Sequence, residues 1–228
     1  MQFSRIFPFL FLLIAIGDLV GRILNEPWLD HFFKPLIMLS LGGFLVAQTH
    51  HVPNGWLKWG TLIAIFFSGL GDVCLMFTGE QFFQLGLASF LTAHLAYLVA
   101  FGQPRAAPRT RGLLASRPYL ALPFLALGIG LYTFLWPTLG NLWLPVLLYT
   151  LVLTAMSLAA LNRYGRATSQ SFRAVMAGAI LFLLSDSCLA ISLFGHSFPY
   201  AGVLVMLTYI PAQYLIVQGL SWQILARK

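Results

Sequence analysis

Apolar stretches separated by short polar breaks recur along the whole chain, and their lengths predict eight membrane-crossing helices, since about 20 apolar residues span a hydrocarbon core. The first covers about 6–24 and stops at Asn25-Glu26-Pro27. The second, about 32–48, opens on Lys34-Pro35, where a proline suits the first turn of a helix. A polar loop over 49–55 leads to the third span, about 56–77, and a tight Thr78-Gly79-Glu80 turn to the fourth, about 81–101. Residues 102–117 form the longest polar segment, loosened by Pro104, Pro108 and Gly112. Beyond it lie the spans at about 118–136, 142–161, 172–194 and 199–225. The expected fold is all-α, a polytopic membrane helix bundle forming one domain over 1–228, with approximate halves 1–103 and 117–228.

The basic residues give this pattern an orientation, because short cytoplasmic loops collect Lys and Arg. With the amino terminus inside, Arg5, Lys58, Arg105, Arg109, Arg111, Arg117, Arg163, Arg166, Arg173, Arg227 and Lys228 all fall on the cytoplasmic face. Only Arg22 and Lys34 fall on the other. Dropping one span would move the later loops to the opposite face, so the asymmetry supports eight spans with both termini cytoplasmic.

Composition agrees. With 59% hydrophobic and 8% charged residues, against about 25% charged in ordinary soluble domains, the chain is an integral membrane protein whose natural surroundings are a lipid bilayer. The net charge of +7 is then read as topology, and a nucleic-acid partner is not indicated. Cys74 and Cys188 sit in apolar segments and are read as small buried side chains, not as a disulfide or zinc framework. His50 and His51 have no third ligand at metal spacing, and no glycine-rich nucleotide loop occurs, so neither metal nor cofactor is expected. The opening apolar run lacks a small-x-small cleavage site and is read as a retained span.

Two carboxylates break the apolar pattern where a charge is costly: Asp72 and Asp186, each within Asp-x-Cys-Leu. They lie half the chain length apart, and with four spans on either side of the central loop this fits a 4+4 parallel repeat. Asp72 is about six residues and Asp186 about eight from the outer ends of their spans, which puts both roughly 9–12 Å deep at ~1.5 Å per residue. His94 and Tyr97 share one helix face at similar depth, as do Tyr209 and Gln213 on either side of the kink-prone Pro211. Each also has a plainer reading: Tyr209 and Gln213 as interhelical contacts, Lys34 as an anchor at the interface, Asp18 and Arg22 as an ion pair one turn apart. Ser68, Ser185 and Ser187 lack a Gly-x-Ser-x-Gly elbow and are read as hydrogen-bonding groups. For Asp72 and Asp186 the plain reading is weakest, since each needs a charge partner, a retained proton or a watered cavity.

The residues resemble the lysoplasmalogenases of the YhhN-like membrane proteins. The matching pieces are Lys34-Pro35, Gly71-Asp72-x-x-Leu75, Ala93-His94-x-x-Tyr97, Pro145 with Tyr149, Arg173 with Gly178-Ala179, Ser185-Asp186, and Tyr209 with Gln213-Tyr214-Leu215. They run through nearly the full chain. The resemblance implies a lysophospholipid substrate and hydrolysis of the vinyl ether bond of lysoplasmalogens to a fatty aldehyde and glycerophosphoethanolamine or glycerophosphocholine. That chemistry needs a general acid and a second carboxylate that stabilises a cation and takes a proton from water. Asp72 and Asp186 are the expected catalytic pair, with neither role assigned to either. Lys34 is the candidate for the phosphate; His94, Tyr97, Tyr149, Tyr209 and Gln213 are candidates for orienting water or substrate. The rival from another class is a proton-coupled transporter of a small solute, which would also show a parallel repeat and intramembrane carboxylates. A bacterial inner membrane is the expected location; oligomeric state is not encoded in any motif.

Overall fold

The computed structural model describes residues 2–53, 55–102 and 112–226, residues 2–5 by backbone alone. Its helices are α1 (Gln2–Leu24), α2 (Pro27–Thr49), α3 (Trp56–Cys74), α4 (Glu80–Gly102), the short α5 (Leu113–Ser116), α6 (Leu122–Leu135), α7 (Trp143–Leu161), α8 (Ser169–Phe194) and α9 (Ala201–Leu225). Single 3₁₀ turns at Pro118–Ala121 and Trp136–Thr138 extend α6, and a third at Gly140–Leu142 leads into α7. Among the described residues all regular structure is helical, and eight helices are long and apolar enough to cross a membrane. The eight expected spans are therefore present, and the short α5 in the central loop was not foreseen. Arg105, Arg109, Arg111, Arg227 and Lys228, all counted for topology, lie outside the described residues, as does the side chain of Arg5.

Two helix limits differ from expectation and both bear on the site. α2 starts at Pro27, so Pro27 takes the first-turn position and Pro35 lies inside the helix. Lys34 is consequently two turns into α2 and only 7% exposed, which rules out the anchor at the interface. α3 stops at Cys74, where the Leu75 N–H donates to the carbonyls of Gly71 and Val73, so Asp72 occupies the last turn. Asp186 keeps two further turns of α8 beyond it.

The α1–α2 connection is tight because Asn25 adopts a left-handed conformation, φ 53°, which asparagine tolerates better than most residues. The next N–H, of Glu26, donates back to the Gly21 carbonyl at 2.8 Å and closes α1. The reversal brings the end of α1 against the start of α2.

The most extensive helix pairs are α8 with α9 and α3 with α4. Glycines permit their close approach, as small residues do where membrane helices cross. A Cβ on Gly71 would lie 2.6 Å from the Phe90 ring, and one on Gly178 would lie 2.7 Å from the Ala212 carbonyl oxygen. Backbone cannot rotate away as a side chain can, so Gly178→Ala should force α8 off α9. We expect a loss of about 1–3 kcal/mol, read as a lower melting temperature of the detergent-purified protein; an unchanged melting temperature would contradict this packing.

Phe7, Leu41, Leu45, Phe182, Ile216 and Leu220 form part of the core between the helices, while Phe9, Leu39, Phe66 and Leu151 point outward where lipid would solvate them. α6 is the least enclosed span, with 11% of its most apolar window buried against 50% for α3 and α9. At the end of the bundle nearest both termini, two residues counted as topology signals also fasten helices together. Lys58 Nζ donates to the Thr49 carbonyl at 3.0 Å. Arg163 Nη2 donates to Ser171 Oγ at 2.8 Å and Gln223 Oε1 at 2.5 Å, with the guanidinium 5.6 Å from the Phe101 ring centroid.

Candidate active site

At the opposite end of the bundle Asp72 and Asp186 border one cavity of about 160 Å³, walled also by Arg22, Lys34, Phe90, Ser185 and Tyr209. Six helices contribute these residues, and the placement of the charged ones follows from features above. The α1–α2 reversal delivers Arg22, the early start of α2 delivers Lys34, the early stop of α3 delivers Asp72, and the α8–α9 contact sets Asp186 beside Tyr209.

Each carboxylate has a phenol for a partner. Tyr209 Oη donates to Asp72 Oδ2 at 2.7 Å, and Tyr149 Oη donates to Asp186 Oδ2 at 2.5 Å. The Lys34 ammonium makes no hydrogen bond or ion pair among the described residues and acts on Asp72 through its charge. His94 is completely buried, with Nε2 3.7 Å from Asp186 Oδ2 and its ring edge-on to Tyr149 and Phe182. It does not wall the cavity, and its contact with Asp186 is longer than a hydrogen bond.

Tyr97 and Gln213 are not brought to the cavity. Tyr97 Oη donates to Gln213 Oε1 at 2.6 Å, and Gln213 Nε2 donates to Ser68 Oγ at 3.0 Å, a fully buried chain joining α4, α9 and α3. The expectation that Tyr97 meets water or substrate is corrected accordingly: a helix face carries His94 to Asp186 and Tyr97 one turn deeper into the protein. Gln213 likewise ties helices together, which is its plainer reading. The serines behave as expected, Ser185 Oγ donating to the Val205 carbonyl and Ser187 Oγ to the Leu183 carbonyl. Cys74 and Cys188 are free thiols, partly exposed instead of buried. Among the described residues no group of three His, Cys, Asp or Glu side chains could hold a metal ion.

The cavity continues on both sides. Leu75, Phe90, Asp186 and Leu189 also wall an apolar cavity of about 70 Å³ that reaches Gly128 and Leu131 of α6 and Tyr149 and Leu153 of α7. In the other direction Arg22, Ser192, Ala201 and Gly202 are shared with a polar vestibule of about 620 Å³ that holds Glu26 and Asp30. Asp186 thus stands between a polar and an apolar chamber, whereas Asp72 faces the polar one alone.

Arg22 and Asp30 are the site residues that sequence reasoning missed. Arg22 Nε donates to Asp18 Oδ2 at 3.1 Å, the ion pair anticipated within α1, and Nη2 donates to Asp30 Oδ1 across the helix reversal. The signal that could have found Arg22 was its place among the basic residues: Arg22 and Lys34, the two that fall on the outer face, are the two cations of this cavity.

The sequence profile of the YhhN family matches residues 29–220. Among individual proteins the chain is similar to the human protein named lysoplasmalogenase TMEM86B, with 36% identity over 194 residues covering 83% of this chain and 74% of that one. The mouse protein of the same name is 35% identical over 191 residues, with the same two shares. A Mycobacterium tuberculosis protein named lysoplasmalogenase is 30% identical over 207 residues, covering 89% of this chain and 73% of that one. No solved structure matches the chain.

Proposed function

The chain belongs to the YhhN family, and from that premise we propose that it is a lysoplasmalogenase, cleaving the vinyl ether bond of lysoplasmalogens to a fatty aldehyde and glycerophosphoethanolamine or glycerophosphocholine. The observation that carries this reading is the sequence of chambers along one path: cations, two carboxylates, then an apolar crevice beginning at Asp186. A lysoplasmalogen presents phosphate, vinyl ether and hydrocarbon in the same order.

The substrate phosphate lies against Lys34, a compact cation that makes no hydrogen bond or ion pair among the described residues. The vinyl ether lies between the aspartates, and the first carbons of the alkenyl chain enter the apolar crevice. A cavity of about 150 Å³ holds a benzene-sized molecule, so the crevice takes only the head of the chain and the remainder runs out beside α6 into the bilayer. The β-carbon of the vinyl ether lies on the hydrocarbon side of the oxygen, next to Asp186, and Asp186 is therefore the general acid that protonates it. This forms an oxocarbenium ion. Asp72, bordering only the polar chamber, stabilises that cation and takes a proton from the attacking water. The hemiacetal then collapses: the ionised Asp186 takes its hydroxyl proton, Asp72 gives its proton to the glycerol oxygen as that C–O bond breaks, and aldehyde and alcohol leave with both carboxyls back in their starting states.

Tyr149 holds Asp186 and Tyr209 holds Asp72, each through one hydrogen bond. Loss of one orienting donor should cost about tenfold in kcat, so Tyr149→Phe and Tyr209→Phe should each lower kcat with little change in KM. A rise in KM alone would make these phenols substrate contacts instead. The activity itself is tested by incubating detergent-purified protein with lysoplasmenylethanolamine and measuring fatty aldehyde; uptake of a solute into proteoliposomes without aldehyde release would refute the enzyme. The bias of basic residues supports an orientation with both termini cytoplasmic and the cavity opening on the other face.

A further inference from the structure

The vestibule outside the catalytic cavity has no part in the chemistry above, yet it is the larger of the two chambers and the more unusual in its charges. Arg22 stands in the wall the two share, its guanidinium committed to Asp18 on one side and Asp30 on the other. A Cβ on Gly202 would come within 3.5 Å of Arg22 Nη1, so that nitrogen sits at the junction of the chambers. Next to Asp30, Glu26 precedes α2 but does not cap it, and among the described residues its exposed carboxylate has no side-chain partner. Beyond Arg22, the buried ammonium of Lys34 is also without a hydrogen-bonding partner among the described residues. From outside to inside the path therefore runs carboxylates, guanidinium, ammonium, aspartates, apolar crevice.

We propose that the Arg22–Asp30 ion pair is a clamp for a zwitterionic phospho-ammonium headgroup, which it receives by exchanging partners. Resting on the lysoplasmalogenase reading for which lipid arrives, the clamp works as follows. The incoming phosphate replaces Asp30 on Arg22 and completes its charge pairing with Lys34. Asp30, released, turns with Glu26 to the ammonium group at the outer end of the headgroup. One internal ion pair is replaced by two across the interface, so binding leaves neither Arg22 nor Asp30 unpaired, a condition that decides whether buried charges favour a complex. A headgroup ending in phosphate alone satisfies Arg22 but strands Asp30, and it binds less well for that reason.

The exchange has a signature that general damage to the fold does not produce. Binding is measured by calorimetry in a neutral detergent free of phospholipid, so that bilayer headgroups do not compete. The probes are two uncleavable saturated ethers, 1-O-hexadecyl-glycerophosphoethanolamine and 1-O-hexadecyl-glycerophosphate. Native protein should prefer the ethanolamine compound. Asp30→Asn should weaken that compound and tighten the phosphate compound, because Arg22 then has one carboxylate fewer to leave; the preference should shrink by about tenfold. Glu26→Gln should shrink it in the same direction, by about threefold, whereas Glu80→Gln, on the first turn of α4, should keep the native ratio. If both compounds weaken together in Asp30→Asn and Glu26→Gln, or if the native ratio survives both substitutions, the clamp is wrong. Should Asp30→Asn fail to fold, Glu26→Gln, an exposed position, decides the question by itself. Because these probes report binding without turnover, the clamp stands or falls independently of aldehyde release.

Discussion

Asp72→Asn and Asp186→Asn should each reduce aldehyde release by about a thousandfold or more while leaving a protein that inserts and purifies normally. Acid–base participation by a positioned side chain contributes roughly 10²–10⁴-fold, and each aspartate is also a source of negative charge toward an oxocarbenium ion. The amide keeps the shape of the carboxyl and can still accept from Tyr209 or Tyr149, so packing in the last turn of α3 and within α8 is preserved. The two variants should differ in rescue. Asp72 faces the polar chamber alone, and formate added to Asp72→Ala should restore part of the rate by acting as base in the vacated space. Asp186 borders the apolar crevice, where a diffusible anion is disfavoured, so Asp186→Ala should stay inactive with formate. Near-normal turnover by either Asn variant would sink the two-carboxylate mechanism, and rescue of Asp186→Ala alone would reverse the two roles.

Hydropathy was sufficient to place the eight spans, because bilayer thickness imposes one length on every crossing helix. The same reasoning marked Asp72 and Asp186, since an intramembrane carboxylate is conspicuous whatever surrounds it. Lysine and arginine were harder to read. Lys58 and Arg163 fit the topology count and yet are buried fasteners, while Arg22 and Lys34, its two exceptions, meet at the cavity. A count of charges by loop has no means of separating a snorkelling side chain from one turned inward. Helix limits were the other gap. Placing the start of the second span near Phe32 hid the reversal at Asn25 and with it the contact of Arg22 with Asp30. Pairings through space, such as Tyr149 with Asp186, follow from which helices adjoin and have no local pattern at all. Tyr97 shows the converse: a polar residue on the correct helix face whose extra turn of depth sends it to Gln213 instead of the cavity.

Lys34→Met should lower kcat/KM for lysoplasmenylethanolamine by about a hundredfold or more, because a charge-assisted contact to phosphate in a partly enclosed site is worth about 2–3 kcal/mol or above. Methionine matches the length and flexibility of the lysine stem and leaves α2 undisturbed. The position demands a compact point charge: a planar guanidinium needs donors satisfied in a fixed fork, and the space beside Asp72 is already bounded by Tyr209 and Phe90. Lys34→Arg should therefore recover only part of the loss. Lys34 can act in two ways, by holding the phosphate or by tuning the charge of Asp72, and a substrate without phosphate separates them. On 1-O-alkenylglycerol the first role disappears, so the penalty of Lys34→Met should fall to about tenfold or less. An equal penalty on both substrates would show that Lys34 serves Asp72 and leave the phosphate to Arg22. The vestibule clamp would then bear the whole of headgroup recognition, and the polar chamber would be an acid–base site alone.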